Sequence, residues 1–451
     1  MQLHKKLIPS TLMLLIFISV SASFAGSVGI YSLSWSFPII DPSYQISLHA
    51  LDAVGQVVYF GSGKTFGPYN FLYAVNITNG QMIWNYSTVQ PVNFVSHFTY
   101  NSSDRIIVGT GGSSFISSQS YVLAFRGSQN NATLWNSTNL KSSVLSLGSV
   151  NSSDPTTQDV VAGLANGTVV CLSGSNGTVE WRYNAAVPVS PLLYNIFQLN
   201  NGSAIVGNRD SGPPNEGHIY CFEKNGILRW SNTSASDNPF TLAREIADVN
   251  SDGVPDVVAV FSDGYIYVLD GVTGKSIAPW PFYVGHLVTD LLCTQDYTRD
   301  GFPDIIAGIN NGTLIIVNGK NASLFKGPTP VSSFTLPHIQ YMYFYQNGET
   351  YSNKTLVVSA EDSGPAYFIR GVNASTLLVM KEYSVPSVAL NLFNIGKSTS
   401  NFTGDLLFTT GNTVYCLQGT DIIIPEFESN FVLISLMISI WLLILILRKR
   451  S

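Results

Sequence analysis

A short β-branched run ending near glycine recurs along the chain. It reads VVYFGSG from residue 57, RIIVGTG from 105, DVVAGLANG from 159 and AIVGNRD from 204. The series continues with DVVAVFSDG from 256, DIIAGINNG from 304, LVVSAEDSG from 356 and LLFTTGN from 406, at intervals of 45 to 54 residues. In several copies Asn-Gly or Asp-Gly follows and leads into a second apolar run: NGTVVCL, DGYIYVL, NGTLIIV. Asn-Gly and Asp-Gly favour two-residue hairpin turns in which both central residues take positive φ, so each copy is predicted to be a β-meander. Eight such meanders of about 50 residues predict a β-propeller.

Tryptophan marks the outer strand of each unit. AVNITNGQMIW ends at Trp84, CLSGSNGTVEW at Trp181, CFEKNGILRW at Trp230 and VLDGVTGKSIAPW at Trp280, and Trp135 holds the matching place in its own repeat. Phe325 and Met380 stand near that position in the next two units. The last copy ends at VYCLQGTD without an outer strand, whereas YSLSWSFP carries Trp35, 49 residues before Trp84. The N-terminal strand is therefore expected to complete the last unit and close a ring, with six of the seven tryptophans packing between units. The predicted fold class is all-β: an eight-bladed β-propeller closed by an N-terminal strand, plus one C-terminal transmembrane helix.

The stretch from Ala74 to Trp84 resembles the tryptophan-docking motif of PQQ-like eight-bladed propellers. Two acidic loops, DVNSDGVPD (248–256) and DYTRDGFPD (296–304), resemble those of FG-GAP repeats in integrin α-subunits. The two resemblances together cover most of residues 27–424. They imply the fold more than the function, because propellers host many activities.

Only 11% of the chain is charged, so the carboxylates of these loops call for an explanation. Asp248, Asn250, Asp252 and Asp256 offer oxygens at positions one, three, five and nine. Gly253 permits a sharp turn that aims the Val254 carbonyl inward. Hard oxygen ligands around a glycine turn suit Ca²⁺ better than Mg²⁺, which demands a tighter octahedron. The FG-GAP resemblance adds the same expectation. The second loop offers Asp296, Asp300, Asp304 and the Phe302 carbonyl, with Thr298 in place of an amide or carboxylate, and is expected to bind more weakly. The other reading of both loops is an Asx turn joining two strands. SVNSSDPTTQD in the third repeat keeps Asn151 and Asp159 without the leading Asp, and no ion is expected there. An ion beside a strand connection would be structural.

The ends set the compartment. A basic start (His4, Lys5, Lys6), an apolar run from Leu12 to Val20 and Ser23-Phe24-Ala25 predict a signal peptide over 1–25, with an uncleaved anchor as the alternative. Phe431 to Leu447 carries no charge and precedes Arg448, Lys449 and Arg450, which predicts a spanning helix with a cytoplasmic basic end. Pro425-Glu426-Phe427 before that helix resembles the PEF-CTERM sorting signal of archaea. That resemblance implies an archaeal source and an archaeosortase that replaces the helix with a lipid. The expected organisation is a signal peptide (1–25), a propeller (26–424) and an anchor segment (425–451), making a type I cell-surface protein held by a helix or a lipid. N-x-S/T sequons at Asn76, Asn85, Asn101, Asn131, Asn136, Asn151, Asn166, Asn176, Asn201, Asn232, Asn311, Asn321, Asn353, Asn373 and Asn401 fit a glycosylated surface.

Net charge of −6 leaves no basic footprint for nucleic acid. Cys171, Cys221 and Cys416 hold equivalent strand positions and, with Cys293, read as small buried hydrophobes rather than a disulfide framework. The PQQ resemblance would imply two adjacent cysteines beside a quinone, and no two cysteines are neighbours here. His49, His97, Arg244, Glu245, His286, Asp290 and His338 could converge at the axial channel. No nucleophile elbow, phosphate loop or zinc motif occurs. Two functions follow: a non-enzymatic surface module that binds a protein or glycan or serves envelope assembly, or a surface carbohydrate-active or redox enzyme using the channel mouth.

Overall fold

The computed structural model describes residues 29–421 except 65–66, 68–69, 113–118, 128–130, 153–155, 186–191, 200, 210–215, 235–237, 331–338, 346–354, 363–365, 374–376, 378, 388 and 395–404. The expected signal peptide, the PEF tripeptide, the Phe431–Leu447 span, His338, Asn353 and Asn401 lie outside the described residues. Among the described residues no helix is long and apolar enough to cross a membrane. The chain divides into two compact units, and Tyr31–Gly419 is the one that carries the sheets.

The described strands form eight four-stranded sheets in a propeller-like repeat. Seven take four consecutive strands, as in the first: Gln45–Val54, Val57–Gly63, Phe71–Asn76 and Met82–Ser87. The eighth orders Leu390–Asn394, Asp405–Thr410 and Thr413–Asp421 from one edge and takes Gly29–Pro38, from the other end of the sequence, as its outer strand. Each leading strand packs against the leading strand of the next sheet: Gln45–Val54, Val92–Tyr100, Val144–Asn151, Leu192–Gln198, Phe240–Ile246, Val288–Gln295, Ile339–Tyr345 and Leu390–Asn394. The last of these packs back against Gln45–Val54.

Burial explains the sequence pattern. The second strands Asp256–Phe261 and Asp304–Ile309 are buried at every residue, because a sheet lies against each face. Such strands read as continuous apolar runs, not as an alternation. The fourth strands Val179–Asn184 and Leu228–Thr233 have an exposed residue at every second position, as expected at an outer edge.

The tryptophans tie sheet to sheet. The indole N–H of Trp35, on the eighth sheet, donates to the Ile77 carbonyl of the first at 2.9 Å. Trp135 donates to Gly174, Trp181 to Lys224 and Trp230 to Gly271, each at 3.0 Å and each onto the following sheet. Trp84 and Trp280 are also buried, and their indole N–H groups have no acceptor among the described residues. All four cysteines are buried thiols.

One turn differs from expectation. The Asn-Gly and Asp-Gly hairpins have three-residue loops, Ala165-Asn166-Gly167, Ser262-Asp263-Gly264 and Asn310-Asn311-Gly312, and not two-residue turns. Only the glycine takes positive φ, +81° at Gly167 and +77° at Gly312. The glycine N–H returns to the last residue of the preceding strand: Leu164 in the first, Ile309 in the last, both at 2.9 Å. A turn followed by one left-handed residue restores the strand twist, so the asparagine keeps an ordinary conformation.

Candidate functional site

The two acidic loops join the first and second strands of the fifth and sixth sheets, and they have the same internal bonding. In the first, the Asp252 and Gly253 amides donate to the Asp248 carboxylate at 3.1 and 2.6 Å, and Val254 N–H donates to Asp252 at 2.8 Å. In the second, the Asp300 and Gly301 amides donate to Asp296 at 3.1 and 2.9 Å, and Phe302 N–H donates to Asp300 at 3.0 Å. Gly253 and Gly301 sit at φ +90° and +91°, with Ser251 and Arg299 also left-handed. The leading aspartate of each loop thus folds the turn through its own backbone, as Asx turns do.

The ninth position behaves differently. Asp256 is fully buried, and its two oxygens accept from Val249 N–H at 2.7 Å and Gly271 N–H at 3.0 Å. Asp304 is buried likewise and accepts from Tyr297 and Thr298 at 2.6 and 2.8 Å and from Gly319 at 3.2 Å. In the third sheet Asp159, which has no acidic loop before it, accepts from Gly174 N–H at 2.9 Å. The three pairs share a 15-residue offset. Each fastens the start of the second strand to the end of the third. A Cβ on Gly174, Gly271 or Gly319 would fall 1.9, 2.0 or 1.9 Å from the carbonyl oxygen of Gln158, Pro255 or Pro303. These glycines escaped the sequence reading, although their constant distance from the aspartate was the available signal.

Burial sets the titration of these carboxyls. It pushes Asp256 up to about 6, and the charges of Asp248 and Asp252 add to the effect. Burial likewise raises Asp304 and Asp159, against the lowering effect of their N–H donors. A carboxylate whose charge is disfavoured this way is stabilised by a nearby cation.

Which loop suits a cation is decided by residues across the turn. Asn250 Nδ2 donates to Asp270 at 3.0 Å, so the first loop gathers four carboxylates: Asp248, Asp252, Asp256 and Asp270. The equivalent of Asp270 in the second loop is Asn318, whose Nδ2 donates to Asp300 at 2.7 Å and to Thr298 Oγ1 at 2.9 Å. Lys320 sits 4.4 Å from the Phe302 ring centroid, where the first loop has Val272. The second loop thus gathers one carboxylate fewer than the first and has a lysine beside it. The donor set of the first loop is all oxygen, which fits a hard cation. Among the described residues no group of three or more His, Cys, Asp or Glu side chains is arranged to hold a metal ion, and the loop oxygens are taken up by N–H donors.

Among the described side chains, which do not include those of His49 and His338, polar residues of the leading strands pair across neighbouring sheets. His97 Nδ1 lies 2.8 Å from Asp52 across the first and second sheets, and Arg244 donates to Asp290 at 3.2 Å across the fifth and sixth. Hydrogen bonding to Asp52 raises the His97 pKa. Arg244 stands opposite Val258 and Asp290 opposite Gly308, which are at different levels of their sheets. His286 is exposed outside a strand. Each pair joins neighbouring sheets. A groove of about 900 Å³ between the first and second sheets is bordered by Gln56, Asn76, Ile83, Asp104 and Arg126.

Residues 32–183 match the PQQ-like repeat family described as outer membrane protein assembly factor BamB. No curated relative matches the chain. Among solved structures, BamB from Moraxella catarrhalis is similar at 12% identity and a TM-score of 0.53, over 86% of this chain and 99% of that one. The C-terminal WD40 domain of Sif2 is similar at 9% identity and a TM-score of 0.55, over 87% and 99%. The computationally designed Ika8 protein is similar at 16% identity and 0.52, over 83% and 96%. At these identities the likeness is one of fold: a β-propeller.

Proposed function

We propose that the chain is an eight-bladed β-propeller, closed by its N-terminal strand, that acts outside the cell as a binding module in envelope assembly or adhesion. Its partner would be a protein or a glycan, and the C-terminal helix, or a lipid replacing it, would hold it at the membrane. The observation that carries this reading is the pairing, among the described residues, of Asp52 with His97 and of Arg244 with Asp290, each across two neighbouring sheets. A reaction site needs convergent groups, whereas a binding module needs rigid sheets and exposed loops. The BamB-type match over residues 32–183 favours the assembly role.

Calcium belongs to this proposal as a structural ion. Asp248, Asn250, Asp252, the Val254 carbonyl and Asp256 would hold it in the first loop, with Asp270 beside them. Asp296, Thr298, Asp300, the Phe302 carbonyl and Asp304 would form the weaker site. The ion would neutralise the carboxylates and stiffen the turn ahead of a buried strand. Cross-linking of intact cells followed by mass spectrometry tests the function. The expected result is a recurrent envelope protein or glycan cross-linked to one face of residues 31–419. Cross-links scattered over many unrelated molecules and all faces would count against it.

A further inference from the structure

The sequons are not equivalent as folded. At Asn176, the Oδ1 accepts both the Thr178 amide at 3.0 Å and the Thr178 hydroxyl at 2.8 Å. Asn311 accepts the Thr313 amide at 3.1 Å and hydroxyl at 2.6 Å. Asn321 accepts the Ser323 amide at 3.1 Å and hydroxyl at 2.5 Å. All three lie in turns between strands and reach solvent, and none donates its Nδ2 to a described protein group. At two other sequons the side-chain nitrogen is occupied. Asn131 Nδ2 donates to the Asn85 carbonyl at 3.0 Å, and Asn232 Nδ2 donates to the Gly274 carbonyl at 3.0 Å. In the Asn232 sequon the hydroxyl is also turned away, since Ser234 Oγ donates to the Asn238 carbonyl at 2.6 Å.

We propose that Asn176, Asn311 and Asn321 carry N-linked glycans and that Asn131 and Asn232 stay bare. This rests on the extracellular placement above. In the transfer, Nδ2 attacks the anomeric carbon of a glycan carried on a polyprenyl phosphate. The new N–C bond forms as the C–O bond to phosphate breaks, and the electron pair leaves on the phosphate. The amide gives up one proton, which the phosphate or a base of the transferase accepts. Amide nitrogen is a poor nucleophile because its lone pair is shared with the carbonyl. A hydroxyl and an N–H both donating to Oδ1 draw electron density onto that oxygen and make an N–H easier to lose. The three turns hold the sequon hydroxyl in that position before any enzyme arrives. At Asn131 and Asn232 the nitrogen must first leave a hydrogen bond, a factor of about five in the reactive population for a bond of ordinary strength.

Glycopeptide mass spectrometry of the full-length chain from its own cells, together with protease shaving of intact cells, tests this. The expected result is release of peptides from residues 31–419 by shaving, with Asn176, Asn311 and Asn321 filled about fivefold more than Asn131 and Asn232. A shaved chain whose three turns are bare, or whose Asn131 or Asn232 is equally filled, overturns the assignment and leaves the placement standing. A chain shielded from protease on intact cells contradicts the placement, and the assignment falls with it.

Discussion

Replacing Gly271 with alanine tests the fastening between strands. The added Cβ would lie 2.0 Å from the Pro255 carbonyl oxygen, inside any tolerable contact, so the backbone must move. Two bonds depend on that backbone: the Gly271 N–H to buried Asp256, and the Trp230 indole N–H to the Gly271 carbonyl. Loss of the first, a bond to a charged group, costs about 1.5–3 kcal/mol, and loss of the second about 1 kcal/mol. Alanine restricts the unfolded chain and returns about 0.4–1 kcal/mol. The expected net loss is about 2–3 kcal/mol. Gly253→Ala is the control. Its Cβ would meet nothing, so only the left-handed φ is strained, for about 1–2 kcal/mol. Urea unfolding of both variants in EDTA, followed by tryptophan fluorescence, separates the two effects. A Gly271→Ala midpoint equal to wild type would refute the fastening.

Two further outcomes follow from the same contacts. Trp230→Phe should cost about 1 kcal/mol more than Trp84→Phe, because only Trp230 has an acceptor for its N–H; equal losses in urea would contradict this. In EDTA, Asp256, with its folded pKa raised to about 6, contributes stability that is full below its ordinary value near 3.8 and lost as pH rises through about 6. Asp304 and Asp159 act in the same direction. Unfolding midpoints should therefore fall between pH 4 and pH 7, and a rise over that window would contradict the burial of these groups.

The fold was legible because it repeats. Buried second strands leave apolar runs at a constant spacing, and the tryptophans that join one sheet to the next leave a second series in step with them. YSLSWSFP could be assigned to the last sheet since only Trp35 had no strand before it and Thr413–Asp421 none after it. The sites were harder to read. Spacing alone gave Asp256 and Asp248 the same role, but burial separates them: Asp248 folds its own turn, and Asp256 fastens a distant glycine. Asp270 and Asn318, which set the charge of the two loops, lie about 20 residues away and meet them only once the third strand returns. The Asn-Gly turns were read as two-residue hairpins because the dipeptide does not show where the strand pairing ends.

Calcium binding to the metal-stripped full-length chain tests most directly whether the carboxylates of residues 248–256 gather for an ion. One tight site is expected, and saturation a hundredfold above Kd should stabilise the chain by about 2.7 kcal/mol. Asp252→Ala should abolish that gain with little effect in EDTA, while Asp300→Ala should leave most of it, because with Asn318 in place of Asp270 the second loop gathers one carboxylate fewer. No calcium bound, and identical unfolding midpoints for the wild-type chain in calcium and in EDTA, would contradict the ion and return Asp248 and Asp252 to the role of turn formers.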